Sequence, residues 1–430
     1  MVLNLKNKSG FFYGRGEINK TLIYVTLLGL GVYFQDSARI IFLIISIVYF
    51  LLMDNTTSVS CLLCHTFICD NLFIAPAVSY GSIIIPLFFI KNIGNKNINH
   101  ISIIIITLLL IAIQFSSIAL FDNELINVIR FIFNLFILIY FSSFSFDIFK
   151  RRDTIPVSVS YAVLIGGLIS VTLSFSADNL GVIRFSGIWN DGNFCGLYCM
   201  LGIISSIYAI RYDKLNIFIA LPTILISMYM ETLAMSRTFI FVIAIVALYL
   251  MFVLYNNNKV HSIVKIILTI GVAFLVVVFY NNVVTPVVEI RGMVSEEGGW
   301  TNSRGDLSME SLQAFFDTPR AWLTGCGITN CVHFKSDMGF HASASHNTFV
   351  DLLVELGIPI TIIIIVYILK YIYRSIKDIK RVDYLDILCF TMLIYMGTLS
   401  LGQYALFYLI IGVLLKKVIV NNKTSTIKKL

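Results

Sequence analysis

The chain has 430 residues, of which 58% are apolar and only 13% are charged, and its mean hydropathy is +0.88. A soluble globular domain carries roughly twice that charged fraction, so the composition excludes an ordinary soluble enzyme. The net charge of +7 does not indicate a nucleic-acid partner, because most lysines lie in short segments between apolar runs. The positive-inside rule for membrane proteins accounts for lysines in such segments.

Membrane-spanning helices are predicted along the whole chain, because apolar runs near the ~20 residues of one span recur throughout. Residues 1–20 are polar and basic, and no small-residue cleavage site follows, so we expect the first span to direct insertion without a removable signal peptide. Segment 59–90 indicates either two short spans or a re-entrant hairpin. The other predicted spans are 21–35, 38–53, 101–121, 126–146, 154–174, 193–210, 215–233, 237–255, 262–281, 346–369, 385–399 and 401–415.

Clusters of lysine and arginine between the spans predict which loops are cytoplasmic. An even number of predicted spans lies between each lysine and arginine cluster and the next. All the clusters and both chain ends can therefore lie on the cytoplasmic side. The total is about 12 to 14 spans. Residues 1–430 are therefore predicted to form a single polytopic, all-α membrane domain. The segments left outside are 122–125, 175–192, 234–236 and 282–345, of which only the last is a large loop.

Arginines on the outer side oppose the positive-inside bias and need another explanation. Arg184 lies just before a Gly/Asn/Asp turn that leads into a span, with Asn190 inside the turn and Asn193 as the expected N-cap of the next helix. Backbone N–H groups at such a helix start are ready donors for an anion. The alternative is an ordinary polar turn from which Arg184 reaches lipid headgroups.

Two further arginines stand in the first turns of predicted outer helices. Arg237 follows Ser236 at the start of a strongly apolar span, and Arg304 opens a short amphipathic helix in the large loop. The helix dipole disfavours a cation at either place unless an anion is bound beside it. For Arg237 the alternative is anchoring at the membrane interface.

The amphipathic helix that Arg304 opens has a predicted start, end and apolar face. Ser303 and Asp306 have the spacing of a capping box, and Pro319 ends the helix. Such a helix lies along the membrane surface or covers a cavity. The apolar side is expected to consist of Leu307, Leu312, Phe315 and Phe316.

The stretch HNTFVDLLVELG, residues 346–357, carries polar groups into a predicted span. Asn347, Asp351 and Glu355 are spaced four apart and form one stripe on the first turns of the helix. Lipid does not accept such a stripe, so it must face protein or a watery cavity, and we interpret it as the wall of an outward-facing cavity. His346 stands at the helix N-terminus, where the dipole lowers its pKa and favours the neutral imidazole that a general base requires.

The outer segments of the sequence contain no DxD pair, no HExxH and no glycine-rich phosphate loop, so no metal site or cofactor is predicted. An anionic leaving group would then be bound by arginine, whose guanidinium pairs bidentately with phosphate. Six of the eight cysteines lie in or beside apolar runs, where cysteine acts as a small hydrophobic residue. Cys326 and Cys331 share the large loop, so a disulfide between them is an open alternative.

Four pieces in order along residues 182–358 resemble the bacterial O-antigen polymerases and O-antigen ligases, one superfamily of polytopic glycosyltransferases. The first two are an Arg-x-x-Gly turn before a span and a Ser-Arg-Thr that opens a span. The third is an arginine-led amphipathic helix followed by Pro and Gly-x-Gly, and the fourth is His-Asn with a later Glu-x-Gly. The residues are Arg184 to Gly187, Ser236 to Thr238, Arg304 with Pro319, Gly325 and Gly327, and His346 with Asn347, Glu355 and Gly357.

The resemblance implies a metal-independent transfer of a glycan from undecaprenyl diphosphate at the outer, periplasmic face of the bacterial inner membrane. It implies that His346 deprotonates the acceptor hydroxyl and that Arg184, Arg237 and Arg304 bind the diphosphate, with Arg291 as a poorer match. Asn190, Asn193, Asn347, Asp351 and Glu355 would support the site. Expected partners are lipid-linked glycans and membrane lipid, and a chain-length regulator protein is compatible with this family.

Three functions follow from the resemblance. The first is a polymerase that transfers the growing chain to the sugar of a new lipid-linked repeat unit. The second is a ligase that transfers the glycan to lipid A core, and the catalytic motifs do not separate the two. The Ile-, Asn- and Lys-rich composition resembles surface-polysaccharide polymerases and favours the first. A transporter for the same lipid is the third, although its ionisable residues would be expected near mid-membrane and in repeated halves.

Overall fold

The computed structural model of the protein describes most of the chain in fifteen stretches. The described residues are 8–34, 37–68, 73–75, 78–92, 101–143, 154–173, 176–179, 182–189, 191–212, 216–234, 236, 238–245, 304–377, 383–402 and 404–427.

The described residues of the first half of the chain form nine helices of twelve or more residues and two small hairpins. The helices are α1 Lys8–Tyr33, α2 Ser37–Leu52, α3 Asn55–Ile68, α4 Gly81–Asn92, α5 Ile101–Phe121, α6 Leu125–Ser143, α7 Thr154–Thr172, α8 Gly192–Tyr212 and α9 Ile217–Ala234. The antiparallel hairpins are β1 Phe73–Ala75 with β2 Val78–Ser79, and β3 Ser176–Asn179 with β4 Val182–Phe185, which a 3-10 turn at Gly187–Trp189 follows.

The second half contains the large loop and the last three long helices. After the helical residues 238–245, the described loop carries α10 Arg304–Phe316, α11 Ala321–Thr324 and α12 Cys331–Asp337. The last helices are α13 Thr348–Lys377, α14 Tyr384–Met396 and α15 Ala405–Ile427.

The protein is an all-α polytopic membrane protein, as the sequence predicts. Among the described residues, five helices are long and apolar enough to cross a membrane, namely α6, α7, α8, α9 and α13. Segment 59–90 is resolved as two short helices, α3 and α4, joined by the first hairpin. Predicted span 262–281 and most of 237–255 lie outside the described residues, so the span count of about 12 to 14 stays a prediction.

Helix α8 is largely buried in the bundle, and small residues let its neighbours approach closely. Ser160 of α7 and Ser206 of α8 share a hydrogen bond of 2.8 Å, and Thr223 of α9 donates to the Ser160 carbonyl. A Cβ atom at Gly202 of α8 would lie 2.6 Å from Val163 of α7. These contacts position the start of α8, where the candidate site begins.

Several helix ends meet at one end of the bundle, which we call the site end. Trp189, just before α8, donates its indole N–H to the Phe67 carbonyl at the end of α3 over 2.8 Å. The ring of Phe194 at the start of α8 lies 4.6 Å from that of Tyr404, beside the start of α15. Thr348 at the start of α13 donates to the carbonyl of Leu399. The starts of α8, α13 and α15 are therefore neighbours.

At the opposite end, a partly buried ion cluster joins α13, α14 and α15. The Lys417 ammonium lies 2.7 Å from Asp383 and 2.6 Å from Asp386, and Tyr371 of α13 donates to Asp386 over 2.7 Å. Asp383 and Asp386 also form a capping box at the start of α14. This cluster fixes the three last helices relative to one another.

Helix α13 differs from the single predicted span 346–369, because it is broken. Gly357 has a φ of 76° and a ψ of 175°, so two helical segments meet there. No residue of 348–356 is exposed, whereas the second segment exposes a row of apolar side chains. These are Ile362, Ile363, Ile365, Val366 and Leu369, which are 37% to 59% exposed.

The backbone groups freed by this break are paired with the large loop. Pro359 has no N–H to donate to the carbonyl of Glu355, four residues earlier. The Gly327 N–H donates to that carbonyl over 3.1 Å, and the Cys326 N–H donates to the Val354 carbonyl over 2.8 Å. We call this contact between residues 325–327 and the break in α13 the interlock.

Glycines are required at the interlock because of both conformation and space. Gly325, Gly327 and Gly357 have φ values of 69°, 100° and 76°, in the region that side chains rarely adopt. A Cβ atom at Gly325 would overlap the carbonyl of Glu355, and one at Gly327 would overlap the hydroxyl of Ser117 in α5. The glycines of the Gly-x-Gly and Glu-x-Gly motifs are therefore required by the backbone conformation and close packing of the interlock.

We predict that Gly325→Ala destabilises the protein by about 3 kcal/mol or more, because backbone overlap and positive φ act together. Gly339→Ala tests φ alone, since Gly339 has a φ of 82° and open space around it, and should cost only about 1 kcal/mol. Gly305→Ala has neither problem and should be neutral. The measurement is the fraction of detergent-solubilised protein that stays monodisperse after heating. If the Gly325→Ala and Gly305→Ala variants lose monodisperse protein at the same temperature, the tight backbone packing at the interlock would be contradicted.

Candidate functional site

The start of α8 is capped by a residue other than the predicted one. Asp191 Oδ1 accepts hydrogen bonds from the backbone N–H groups of Asn193, over 2.6 Å, and Phe194, over 3.3 Å. Asp191 is therefore the N-cap, and the expectation for Asn193 was wrong by two positions. The side chain of Asn193 is instead buried in the first turn. Asn190 lies outside the described residues.

The turn before α8 is held firmly against α7. A Cβ atom at Gly187, whose φ is 59°, would lie 2.9 Å from both the hydroxyl of Ser170 and the ring of Trp189. The N–H of Ile188 donates to the same hydroxyl over 3.0 Å. Arg184 lies on β4, paired with Ala177 of β3, at the edge of this fixed turn.

The segment that carries Ser-Arg-Thr starts beside α8. Glu231 Oε1, in the last turn of α9, accepts from the Ser236 N–H over 2.9 Å, and Ser236 Oγ accepts from the Phe239 N–H over 3.4 Å. A Cβ atom at Gly196 would lie 2.9 Å from Ser236 Oγ, so this helix start touches the first turns of α8. Arg237 itself lies outside the described residues.

Asn347 is the N-cap of α13. Its Oδ1 accepts from the N–H groups of Phe349, over 3.0 Å, and Val350, over 3.4 Å. Ser345 Oγ accepts from the Asn347 N–H over 3.1 Å and lies 2.6 Å from Asp351 Oδ1, to which it donates. Because Ser345 is fully buried, the residues on both sides of His346 are fixed.

His346 has a backbone conformation that is uncommon for a residue with a side chain. Its φ is 54°, in the left-handed region, where histidine occurs more often than most residues but glycine is preferred. The side chain is partly exposed at the site end. Such strained residues persist only where their surroundings determine them, and they cluster at active sites. Here Ser345 and Asn347 provide that constraint.

The polar stripe on α13 faces protein rather than an open cavity. Asp351 is 4% exposed and Glu355 is 6% exposed. The loop between α14 and α15 lies against them: a Cβ atom at Gly402 would lie 3.6 Å from Glu355 Oε2, and the Leu401 N–H donates to the Thr348 hydroxyl over 3.0 Å. The interpretation of this stripe as a cavity wall therefore does not hold for Asp351 and Glu355.

The amphipathic helix exists as α10, but its packed face is shifted from the predicted one. Arg304 is its first residue, and it ends at Phe316, before Pro319. Ser311, Ala314 and Phe315 are buried against α12 and α13, whereas Phe316 is 53% exposed, contrary to prediction. Ser303 and Arg291 lie outside the described residues.

A buried lysine organises the rest of the loop. Lys335 is fully buried, and its ammonium donates to the carbonyls of Leu307 and Ser343 and lies 3.6 Å from Glu310. His341 Nδ1 lies 2.7 Å from the other carboxylate oxygen of Glu310. The hydrogen bond with His341, supported by the charge of Lys335, lowers the pKa of Glu310 below its usual value.

The two loop cysteines are separate buried thiols, so the structure contains no disulfide between them. Cys326 is part of the interlock, and Cys331 Sγ lies 3.9 Å from Ser311 Oγ of α10. Burial raises the pKa of both thiols. Both pack in the small core between the loop and α13.

Pairwise contacts link the four helix starts predicted to contribute to one site. The start of α8 touches Ser236, and the starts of α8 and α13 each contact the segment between α14 and α15. Ser308 of α10 donates to the Ser345 carbonyl just before α13 over 3.0 Å. His346, Asn347, Asp351 and Glu355 lie at the start of α13, and Asn193 lies at the start of α8. Of the arginines, only the backbones of Arg184 and Arg304 are described. Within the described residues, no group of three or more His, Cys, Asp or Glu side chains is placed to hold a metal ion.

Comparison with known proteins finds one family that is similar to part of this chain. Residues 222–365, about a third of the chain, match the sequence model of a family described as O-antigen ligase. The match confirms the resemblance to O-antigen polymerases and ligases. No curated protein and no solved structure matches the chain.

The matched segment contains His346 and the interlock but not Arg184 or Asn193. Members of the family are glycosyltransferase-like enzymes of the polymerase and ligase type. Sequence reasoning missed Ser345, because a serine in a polar run has no distinctive spacing. It also missed Gln114 of α5, whose side chain accepts from the Ile328 N–H over 2.7 Å.

We predict that Asn347→Ala destabilises the first turn of α13 by about 1 kcal/mol, because the N–H groups of Phe349 and Val350 lose their acceptor. Asn347→Asp is the matched control, since aspartate caps equally well and should leave the turn protected. Hydrogen–deuterium exchange of the peptide covering the start of α13 measures the difference. Equal exchange for the Ala variant and the wild type would contradict the assignment of Asn347 as the N-cap.

Proposed function

We propose that the protein is a polymerase of O-antigen or a related surface polysaccharide. It transfers the growing glycan from undecaprenyl diphosphate to the sugar of a lipid-linked repeat unit at the periplasmic face of the inner membrane. The observation that carries this proposal is the fixed, left-handed His346 at the start of α13, inside the segment that matches the O-antigen ligase family.

His346 is proposed as the general base. The imidazole accepts the proton of the acceptor hydroxyl, and that oxygen attacks the anomeric carbon of the donor sugar. The bond from the anomeric carbon to the diphosphate oxygen breaks, and undecaprenyl diphosphate leaves with the electron pair. The backbone hydrogen bonds of Ser345 and Asn347 support this role, because they limit the positions that the imidazole can take.

The arginines are proposed to bind the diphosphate and to stabilise the charge it gains on leaving. A guanidinium pairs bidentately with phosphate and supplies the positive charge that other glycosyl transfers take from a metal ion. Arg184, Arg237 and Arg304 are assigned this role, with Arg291 assisting. The N–H groups at the neighbouring helix starts would add donors for the same anion.

The ligase is the second candidate, because the matched family is described as O-antigen ligase. In that reaction the acceptor is lipid A core instead of a second lipid-linked glycan. The chemistry at His346 would be the same, so the choice depends on the acceptor. The composition of the chain, rich in Ile, Asn and Lys, supports the polymerase by resemblance only.

A deletion strain complemented with variants tests both parts of the proposal. We expect the deletion to leave lipopolysaccharide whose core carries a single repeat unit, because ligation continues without polymerisation. The wild-type gene should restore the ladder of long chains. His346→Ala should not restore it, although the variant should reach the membrane in normal amount, as immunoblotting of membrane fractions will check.

Two outcomes would contradict the proposal in different ways. Bare core, with polymer accumulating on the undecaprenyl lipid, would identify a ligase and exclude the polymerase. A normal ladder from the His346→Ala strain would exclude the general base while leaving the acceptor assignment intact. As a matched control, His333→Ala changes another histidine of the same loop, outside the proposed site, and should restore the ladder.

A further inference from the structure

A patch of exposed apolar side chains lies on the large loop, on α11 and the end of α10. Leu323 is 71% exposed, Phe316 is 53% exposed and Trp322 is 39% exposed. The indole N–H of Trp322 donates to the Phe315 carbonyl over 3.1 Å, so its polar atom needs no water. Exposed apolar groups of this size on an extramembrane loop require an explanation.

The patch is continuous with the apolar face of α13. A Cβ atom at Gly357 would lie 2.8 Å from the carbonyl carbon of Leu323, so α11 lies beside the break in the helix. Pro359 is exposed directly after the break, and the exposed row from Ile362 to Leu369 follows. Loop and span therefore present one apolar surface.

The length of the second segment of α13 indicates the depth of α11. From Gly357 to Lys377 the helix rises 1.5 Å per residue, about 30 Å in all, which equals the hydrocarbon thickness of a bilayer. Lys370, Arg374 and Lys377 lie toward the far end, as the positive-inside rule requires. The break at Gly357, and α11 beside it, then lies where the hydrocarbon begins.

The loop also reaches into the bundle beside α5. The Ile328 N–H donates to Gln114, which lies seven residues before the end of α5 at Phe121. Seven residues correspond to about 10 Å of helix. Non-helical backbone inside a helix bundle is tolerated only where protein covers and pairs it, and the interlock and Gln114 provide that pairing. Cys326 and Ile328 are accordingly buried.

We propose that α11 and the end of α10 insert into the outer leaflet, with lipid acyl chains packed against Phe316, Trp322 and Leu323. Arg320 fits this position, because its guanidinium lies 5.2 Å from the ring centre of Phe121 and is exposed at the same level. Aromatic and cationic residues together are typical of membrane interfaces. The second segment of α13 is then the true span, and Asp351 and Glu355 lie outside the hydrocarbon. This proposal does not depend on the reaction catalysed.

Spin labels on the full-length protein in phospholipid nanodiscs test this proposal. Cys69→Ser serves as the background, since all seven cysteines of the described residues are buried. Single labels are placed at Leu323→Cys, at Gln313→Cys on the exposed face of α10 and at Ile363→Cys in the span. The electron-spin relaxation of each label that is caused by oxygen, which concentrates in lipid, is compared with the relaxation caused by a water-soluble nickel chelate.

We expect the ratio of oxygen to nickel relaxation at position 323 to exceed clearly that at position 313. It should remain below the ratio at position 363, which lies about 9 Å deeper in the span. A ratio at position 323 equal to that at position 313 would mean that α11 stands in water, and would overturn the proposal. Protection of position 323 from both reagents would also overturn it, because a protein partner or a second copy would then cover the patch.

Discussion

Two backbone amides of the large loop, those of Cys326 and Gly327, bind the carbonyls of Val354 and Glu355 at the break in α13. Without them, a helix interrupted by Gly357 and Pro359 would leave buried acceptors unpaired, at a cost of about 1 to 3 kcal/mol each. The same contact fixes a loop of more than forty residues, 304–347, against the bundle. The positions of α10, α11 and the start of α13 all depend on it.

This contact explains how ionisable groups are accommodated in an apolar chain. The first segment of α13 is enclosed by the loop and by the turn between α14 and α15, so Asp351 and Glu355 face protein. Ser345 binds Asp351 and Asn347, and His346 is thereby held in a left-handed conformation beside the starts of other helices. Insertion of α11 into the outer leaflet would keep this enclosed segment at the membrane surface, where a lipid diphosphate would be presented.

The architecture was predictable because membrane spans depend on local composition. Helices α5 to α9 begin and end within three residues of their predicted bounds, since one continuous apolar run defines each. The break in α13 was not predictable, because its stability depends on loop residues thirty positions earlier. The sequence pattern predicts Asn193 as the cap of α8, but Asp191 suits that role equally well and only the turn geometry separates the two residues. His346 was recognised from its place before a polar stripe, whereas its conformation required the structure.

Chemical rescue tests most directly the claim that His346 is the general base. Purified His346→Ala protein in liposomes is given a defined lipid-linked repeat unit, with and without added imidazole, and polymer formation is followed over a range of pH. The account predicts little elongation without imidazole and partial recovery with it, rising with pH as more of the imidazole becomes neutral. Elongation at the wild-type rate without imidazole would contradict the account.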